Sequence, residues 1–232
     1  MSLKHRSNDK EYLDGDSIAT ADLYRNLVEL DIINKYLGGY NASLKGLGTI
    51  LGKGKAVRNV LDIGFGGGDS IKQLSRLSDK RNADLSFYGV DLKRDCVEYA
   101  EQNLVALTNK QLICDDYRNI SAELLNKIDV IHCSLFLHHL TDAEIIGLFK
   151  FGKAHNCIIL ANDLHRNWLA YYSIKFLTAL FSKSYLVKND APLSVKRGFR
   201  RKELIELLKQ AGFTKYSVTW SWAFRYIVIA TE

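Results

Sequence analysis

Hydrophobic positions follow two different spacings along this chain. Apolar runs rich in β-branched residues predict seven strands, at 57–63, 85–92, 111–114, 129–133, 157–161, 217–222 and 226–230. Apolar residues at three- and four-residue spacing predict five helices, one through Ile71, Leu74 and Leu77 and others at 94–107, from Thr141 onward, at 168–181 and at 201–211. Asp69 or Ser70 could cap the helix through Ile71, and Thr141 and Glu144 fit a capping box. The segment around Pro192 is expected to be a loop.

This alternation of strands and helices determines the expected architecture. Because parallel connections cross over with a right hand, the helices that follow the first five strands should cover both faces of one sheet. The last two strands are separated by only a few residues, so they should form an antiparallel hairpin at one edge. The prediction is an α/β three-layer sandwich with a mostly parallel, seven-stranded sheet.

The segment before the first strand has a helical pattern. Its apolar residues recur at Leu23, Leu27, Leu30, Ile33 and Leu37. We expect residues 1–56 to form a helical lid over the ligand edge of the sheet, and residues 57–232 to form the ligand-binding domain.

Composition places the chain among ordinary globular proteins. Apolar residues make up 47% and charged residues 25%, and no stretch approaches the roughly 20 apolar residues of a membrane span. The opening residues are polar and do not resemble a secretory signal, so a cytoplasmic location is expected. The cysteines are widely spaced, which predicts buried, reduced thiols and no metal site: Cys96, Cys114, Cys133 and Cys157.

The net charge of +6 and a pI near 9.0 permit a nucleic-acid or anionic-membrane partner. Basic residues cluster only at Lys196–Lys202, and no aromatic motif for reading RNA accompanies them. A nucleic-acid partner is therefore not expected, whereas peripheral membrane contact through this cluster stays open.

The strongest chemical signal is the run Asp62-Ile63-Gly64-Phe65-Gly66-Gly67-Gly68. A glycine turn between a strand and a helix lets the backbone approach a bound ligand closely. A dinucleotide fingerprint would need a small residue at position 69, where this chain has Asp69. The acid at position 62 suits a ligand ammonium group and is badly placed for a pyrophosphate.

Two further acids end the second and third strands. Asp91 lies about 20 residues past the glycines, where a carboxylate can accept hydrogen bonds from both ribose hydroxyls. Asp115 could meet an adenine amino group. Either acid alone could simply end a strand or cap a helix. Together with the glycine turn, they indicate an adenosyl ligand at the carboxyl ends of the strands.

These residues resemble motif I and the following motifs of the class I S-adenosylmethionine (SAM)-dependent methyltransferases, which have a Rossmann-like fold. The run 129–140, ending in His138-His139-Leu140, is similar to the branch related to ubiquinone and menaquinone methyltransferases; residues 11–39 and 162–166 resemble polyketide-associated enzymes. The resemblance implies SAM as cofactor and these contacts to it: Asp62, Gly64, Gly66, Gly68, Asp91, Leu92, Asp115, Asp116 and Ser134.

The residues at the end of the fourth strand limit the chemical class of the methyl acceptor. Amino-methyltransferases acting on bases or protein amides usually carry an [N/D]-P-P-[Y/F] box there, whereas this chain has Ser134-Leu135-Phe136-Leu137. Cys133 also lacks the proline neighbour usual in C5-pyrimidine enzymes. The expected partner is a small-molecule acceptor that is methylated on oxygen or carbon.

Such an acceptor must lose a proton, and an imidazole titrates in the right range. The candidate bases are His138, His139 and His165, although the first two could merely pack beside the cofactor. Aromatic side chains of the 168–181 helix and the lid predict the acceptor pocket: Tyr12, Tyr24, Trp168, Tyr171 and Tyr172.

Three alternatives remain at this stage. An RNA-modifying methyltransferase fits the basic pI but not the missing box. A non-catalytic SAM-binding protein could keep the glycine turn and the acids without turnover. An NAD-dependent oxidoreductase is disfavoured by Asp62 and Asp69.

Overall fold

The computed structural model of the chain describes residues 3–15, 18–52 and 56–232. The strands are β1 (Asn59–Ile63), β2 (Ser86–Asp91), β3 (Lys110–Cys114), β4 (Val130–Ser134), β5 (Ile158–Leu164), β6 (Lys215–Ser221) and β7 (Arg225–Thr231). The helices are α1 (Thr20–Tyr36), α2 (Gly39–Leu51), α3 (Asp69–Lys80), α4 (Arg94–Asn103), α5 (Ala122–Leu125), α6 (Asp142–Ala154), α7 (Trp168–Phe181), α8 (Tyr185–Arg197) and α9 (Arg201–Gln210).

The seven strands form one sheet in the order β3-β2-β1-β4-β5-β7-β6. Strands β1 to β5 are parallel, and β7 runs antiparallel between β5 and β6. The predicted mostly parallel sheet with an antiparallel hairpin at one edge is therefore confirmed. Because the first five strands point the same way, their carboxyl ends meet at one edge, where open α/β sheets bind ligands.

Side chains that alternate along the strands pack into two separate hydrophobic cores. On β1, Leu61 points into a core with α6 and α9, whereas Val60 points into a core with α2, α3 and α4. Both faces of the sheet are thus covered, as expected for the three-layer sandwich. The capping box of Thr141 and Glu144 at the start of α6 is present as predicted, a feature that contributes about 1 kcal/mol to a helix.

The segment 1–56 has two different roles. Helix α1 lies at the carboxyl edge of the sheet, where Leu27, Leu30 and Ile33 face a cavity. Helix α2 instead packs on the sheet, with Leu47 and Ile50 buried in the second core. Of the two helices, only α1 lies over the cavity; that it acts as a lid stays a prediction.

Three local expectations were wrong. The segment around Pro192 is not a loop, because α8 continues through the proline and buries Val187 and Val195 against its neighbours. Packing here offsets the cost of a proline inside a helix. Of the cysteines expected to be buried, Cys114 is exposed. Asp69 does not cap α3; its carboxylate accepts a hydrogen bond from Asn103 instead.

Candidate active site

A cavity of about 810 Å³ opens at the carboxyl edge of the sheet. Its walls are the loops after β1 to β4, helices α1, α7 and α8, and the turn between β6 and β7. Of the nine predicted cofactor residues, seven line it: Gly64, Gly66, Asp91, Leu92, Asp115, Asp116 and Ser134.

The glycine loop is held by the acid that ends β2. Gly64, Gly66 and Gly68 all have positive φ, a conformation that side chains disfavour. The Gly66 N–H donates to Asp91 Oδ2 at 2.9 Å, and the Lys93 N–H donates to Oδ1 at 2.9 Å. Burial raises the pKa of Asp91 above its usual value, against these two hydrogen bonds. Asp91 therefore fixes the loop and presents the rest of its carboxylate to the cavity.

Two predicted cofactor residues lie elsewhere. Asp62 is buried, and its Oδ1 accepts a 2.7 Å hydrogen bond from Nδ1 of His132, whose Nε2 lies 2.8 Å from the Ser43 hydroxyl. Its carboxylate thus supports the floor of the loop from inside the sheet and does not line the cavity. Gly68 is also absent from the lining, because it packs against Leu104 at the start of α3.

The acids after β3 reach the cavity while holding their own loop. Asp115 Oδ1 accepts from the backbone N–H of Asp116 and from the Asn119 amide. Asp116 caps the turn Tyr117–Asn119 and pairs with Arg118, and this hydrogen bond lowers the pKa of Asp116.

At the other end of the cavity, His138 and His139 form a cluster with three carboxylates, which we call the histidine cluster: Glu11, Asp14, His138, His139 and Asp163. The Nδ1–H of His138 donates to Asp163 at 2.7 Å, and the Nδ1–H of His139 donates to Asp14 at 2.7 Å. Both Nε2 atoms point towards Glu11, at 3.7 and 3.9 Å from its oxygens. Because ionised carboxylates only accept, both Nε2 atoms carry the lone pair when the rings are neutral.

The carboxylates of this cluster differ in their environments. Burial raises the pKa of Glu11 to about 7, although the His139 charge and the Ser194 hydroxyl oppose the rise. Burial acts in the same direction on Asp14, but its hydrogen bond from His139 and the charges of His139 and Arg197 outweigh it, so the pKa of Asp14 is lowered. Asp163 behaves likewise through His138.

The Arg197 side chain fixes the backbone that carries the two histidines. Arg197 donates from Nε to the His138 carbonyl and from Nη2 to the His139 carbonyl, both at 2.8 Å. Its Nη1 also donates to Asp14 at 2.8 Å. Arg197 is therefore buried beneath the site, and the basic cluster at 196–202 loses one of its five charges from the surface.

The third histidine and the predicted acceptor aromatics do not line this cavity. His165 packs on Tyr226 outside the cavity. The five aromatic residues also lie outside its walls, and three of them are exposed to solvent: Tyr12, Trp168 and Tyr172. Helix α7 does form a wall, but with its opposite face, through Ala170, Ser173, Ile174 and Leu177. Helical periodicity explains this, since those positions share one stripe that excludes the aromatics.

Several site residues were not found from the sequence. Glu11 and Asp14 lie in a polar segment with no periodic pattern, and Asp163 extends β5 past its apolar run. Asp190 and Ser194 come from α8, where a loop was expected. The Asp190 carboxylate accepts hydrogen bonds from the backbone N–H groups of Tyr12 and Leu13. Only Asp163 had a signal, because it stands at the carboxyl end of a strand.

The described residues contain no helix both long and apolar enough to cross a bilayer. Residues 60–153 match a family model described as methyltransferase domain, a family that uses SAM as its methyl donor. No curated protein sequence matches the chain.

Solved structures share the fold over nearly the whole chain. The plantazolicin methyltransferase BpumL in complex with S-adenosylhomocysteine (SAH) superposes with a TM-score of 0.65 and 16% identity, covering 92% of this chain and 93% of that one. Magnesium protoporphyrin IX methyltransferase from Synechocystis, also with bound SAH, gives 0.58 and 17%, covering 91% and 93%. A SAM-dependent methyltransferase from Aquifex aeolicus gives 0.60 and 16%, covering 92% and 98%.

The family match falls on the part of the chain that runs from β1 through the glycine loop, Asp91 and the histidine pair to the end of α6. The resemblance inferred from the sequence is confirmed: residues 60–153 match the model of a methyltransferase domain, and the chain has the fold of SAM-dependent methyltransferases.

Proposed function

We propose that this chain transfers the methyl group of SAM to an oxygen or carbon atom of a small, largely apolar metabolite, of polyketide, quinone or related aromatic or lipid-like type. The observation that carries the proposal is the single cavity joining the glycine loop to the histidine cluster. Its volume of about 810 Å³ lies in the upper part of the range of about 300–1,000 Å³ typical of ligand pockets, so there is room for a cofactor and an acceptor.

The end over β1, β2 and β3 suits the cofactor. It offers backbone N–H groups at the glycine loop, the Asp91 carboxylate for ribose hydroxyls, and Asp115 and Asp116 beside the position expected for adenine. These polar groups follow successive parallel strands, as an adenosyl ligand requires.

The end over β4, β5 and β7 suits an apolar acceptor. Its walls are mostly hydrophobic side chains from four different elements: Leu30, Ile33, Leu37, Ala170, Ile174, Leu177, Val187, Ala191, Val195, Trp222 and Phe224. A polar oligonucleotide would desolvate its phosphates against such walls, whereas an aromatic or aliphatic metabolite gains free energy on burial.

Polar groups at this end are few and oriented. The histidine cluster supplies groups that can take a proton from the acceptor, and Arg225 adds a buried guanidinium whose Nε and Nη1 have no hydrogen-bond partner among the described residues. These donors suit an oxygen atom on the acceptor. In the reaction, the deprotonated acceptor atom bonds to the methyl carbon, the carbon–sulfur bond breaks, and the electron pair stays on sulfur to give SAH.

The first test is calorimetric titration of the purified chain with SAM, SAH and, as a control, NADH. Binding of both adenosyl ligands without NADH binding supports the cofactor assignment, and no adenosyl binding overturns it. Label transfer from methyl-labelled SAM is then measured with phenolic polyketides, with quinones and with bulk tRNA and rRNA. Labelling of small phenols supports the acceptor class; labelling of RNA alone contradicts it.

A further inference from the structure

We infer that Glu11, His138 and His139 bind a divalent transition-metal ion, with zinc as the probe ion, at the acceptor end of the cavity. Nothing in the sequence pointed to this site, and no metal was expected. The three side chains come from two distant segments, and their candidate ligand atoms all lie within 4.8 Å of one another.

The donor set has the chemistry of a catalytic metal site. Two imidazoles and one carboxylate are ligands of zinc and of other first-row divalent ions, and three protein ligands leave a position for water or substrate. Metal bonds of about 2.0–2.2 Å place neighbouring ligand atoms about 3.3–3.5 Å apart in a tetrahedral set. Glu11 Oε1 lies 3.7 Å from His138 Nε2, Glu11 Oε2 lies 3.9 Å from His139 Nε2, and the candidate ligand atoms all lie within 4.8 Å of one another. Binding one ion therefore needs these side chains to draw together by no more than about 1.5 Å.

Each imidazole has the support that metal-binding histidines have. A histidine ligand usually donates its other ring N–H to a carboxylate, which fixes the tautomer and makes the free nitrogen more basic. Here His138 donates to Asp163 and His139 donates to Asp14, both from Nδ1. Both Nε2 atoms are left without a hydrogen-bond partner among the described residues, and both face the same point.

The charges around the cluster favour a cation. The Glu11 side chain is 3% exposed, and the described residues provide no lysine or arginine within ion-pair distance of it. Its Oε1 accepts a hydrogen bond from the Ser194 hydroxyl at 2.8 Å. Buried charges in proteins are paired or coordinate metals, and the carboxylates of Asp14 and Asp190 add negative potential nearby.

Hydrogen bonds position the proposed ligands, and the site is open to the cavity. Arg197 holds the carbonyls of both histidines, and Asp190 holds the backbone N–H groups that follow Glu11. All three proposed ligands line the cavity wall, so a fourth ligand can come from the acceptor. A metal-bound hydroxyl or enol loses its proton more readily. This role for the metal rests on the proposed function, whereas metal binding does not.

The test measures zinc directly. The chain is stripped with chelator, dialysed against Zn²⁺, and analysed for metal content by mass spectrometry and for affinity by calorimetry. We expect one equivalent of zinc in the parent chain and loss of that equivalent in Glu11→Gln and His139→Ala. The matched control is His155→Ala, which removes an imidazole at the end of α6 and should keep the equivalent.

A further variant separates this inference from a structural role of the cluster. Asp14→Asn leaves all three ligands in place, removes the charged acceptor of the His139 Nδ1–H and weakens the contact with Arg197, so it should keep one equivalent but lower zinc affinity about 10- to 100-fold. SAH titration of every variant checks that the fold is intact, because the adenosyl end does not involve these side chains.

Failure of the metal site and failure of the proposed function give different results. SAH binding by a parent chain that takes up no stoichiometric zinc would overturn the metal site and leave the proposed function standing. Equal zinc uptake by the parent, Glu11→Gln and His139→Ala would also overturn it. Zinc uptake without SAH binding would support the metal site and overturn the proposed function.

Discussion

The two ends of the cavity are built in different ways. The glycine-loop end, Gly64–Gly68 with Asp91, comes from two successive strand–loop units and depends on backbone conformation. The histidine cluster draws its side chains from three segments far apart in the chain, with α8 supplying further contacts, and depends on side-chain pairs. A site made of consecutive backbone leaves a pattern in the sequence, whereas a site assembled from distant side chains leaves almost none.

The largest effect is expected at the glycine loop, with Gly66→Val. A side chain at this position meets only Leu27 at 3.7 Å, so it would project into the space for the ligand, and its φ of +55° would strain the loop. SAH binding should be abolished in calorimetry, while the circular dichroism spectrum stays that of a folded chain. The control is Gly147→Val on α6, where an added side chain meets nothing. Retained SAH affinity in Gly66→Val would place the cofactor elsewhere.

At the histidine cluster, the corresponding substitution is His139→Ala. Losing a group that takes part in proton transfer should lower turnover about 100- to 10,000-fold, without changing SAH affinity. Turnover is measured on the acceptor found in the label-transfer screen, with His155→Ala as the control. Equal losses of turnover and SAH affinity would mean that His139 packs beside the cofactor, and the two ends would then be one site.

A smaller effect is expected for Asp91→Ala. The lost hydrogen bonds to a charged group are worth about 1.5–3 kcal/mol, which corresponds to SAH binding about 10- to 100-fold weaker. Calorimetry compares it with Asp84→Ala, an exposed acid just before β2. Unchanged affinity would remove Asp91 from the cofactor site and weaken the contrast between the two ends.

The smallest effects distinguish the two faces of α7. Leu177 lines the cavity, and its truncation to alanine should raise the KM for an apolar acceptor about 10-fold through lost apolar contact. Trp168 is 65% exposed, so Trp168→Ala should leave that KM unchanged. The reverse result would restore the aromatic face as the acceptor wall.

The layered fold could be predicted because each element carries its own periodicity. Helix α7 begins and ends at the predicted residues, and the capping box of α6 is where the pattern put it. Prediction failed where tertiary contacts override local pattern. Packing against α7 keeps α8 helical through Pro192, and β5 runs on through the polar Asn162 and Asp163 because both side chains find buried hydrogen bonds.

The same physics explains the errors within the site. Helical periodicity identified α7 as a wall of the cavity. It did not identify which face of α7 lines the cavity, because apolar and aromatic residues surround this helix. No local pattern marks Glu11 and Asp14 as site residues. Tertiary contacts with the histidine pair, Arg197 and α8 bring them there.

The weak packing of the segment that carries Glu11 determines how often the site is fully assembled. Its turn at Tyr12–Asp14 buries no side chain, and its backbone is held mainly by the hydrogen bonds from Tyr12 and Leu13 to Asp190. Elements with so little apolar burial open at a far lower free energy than the core sheet. We therefore expect fast amide hydrogen exchange at Tyr12 and Leu13 in the unliganded chain. A ligand bound by Glu11 should slow exchange at these two amides without changing exchange in β4.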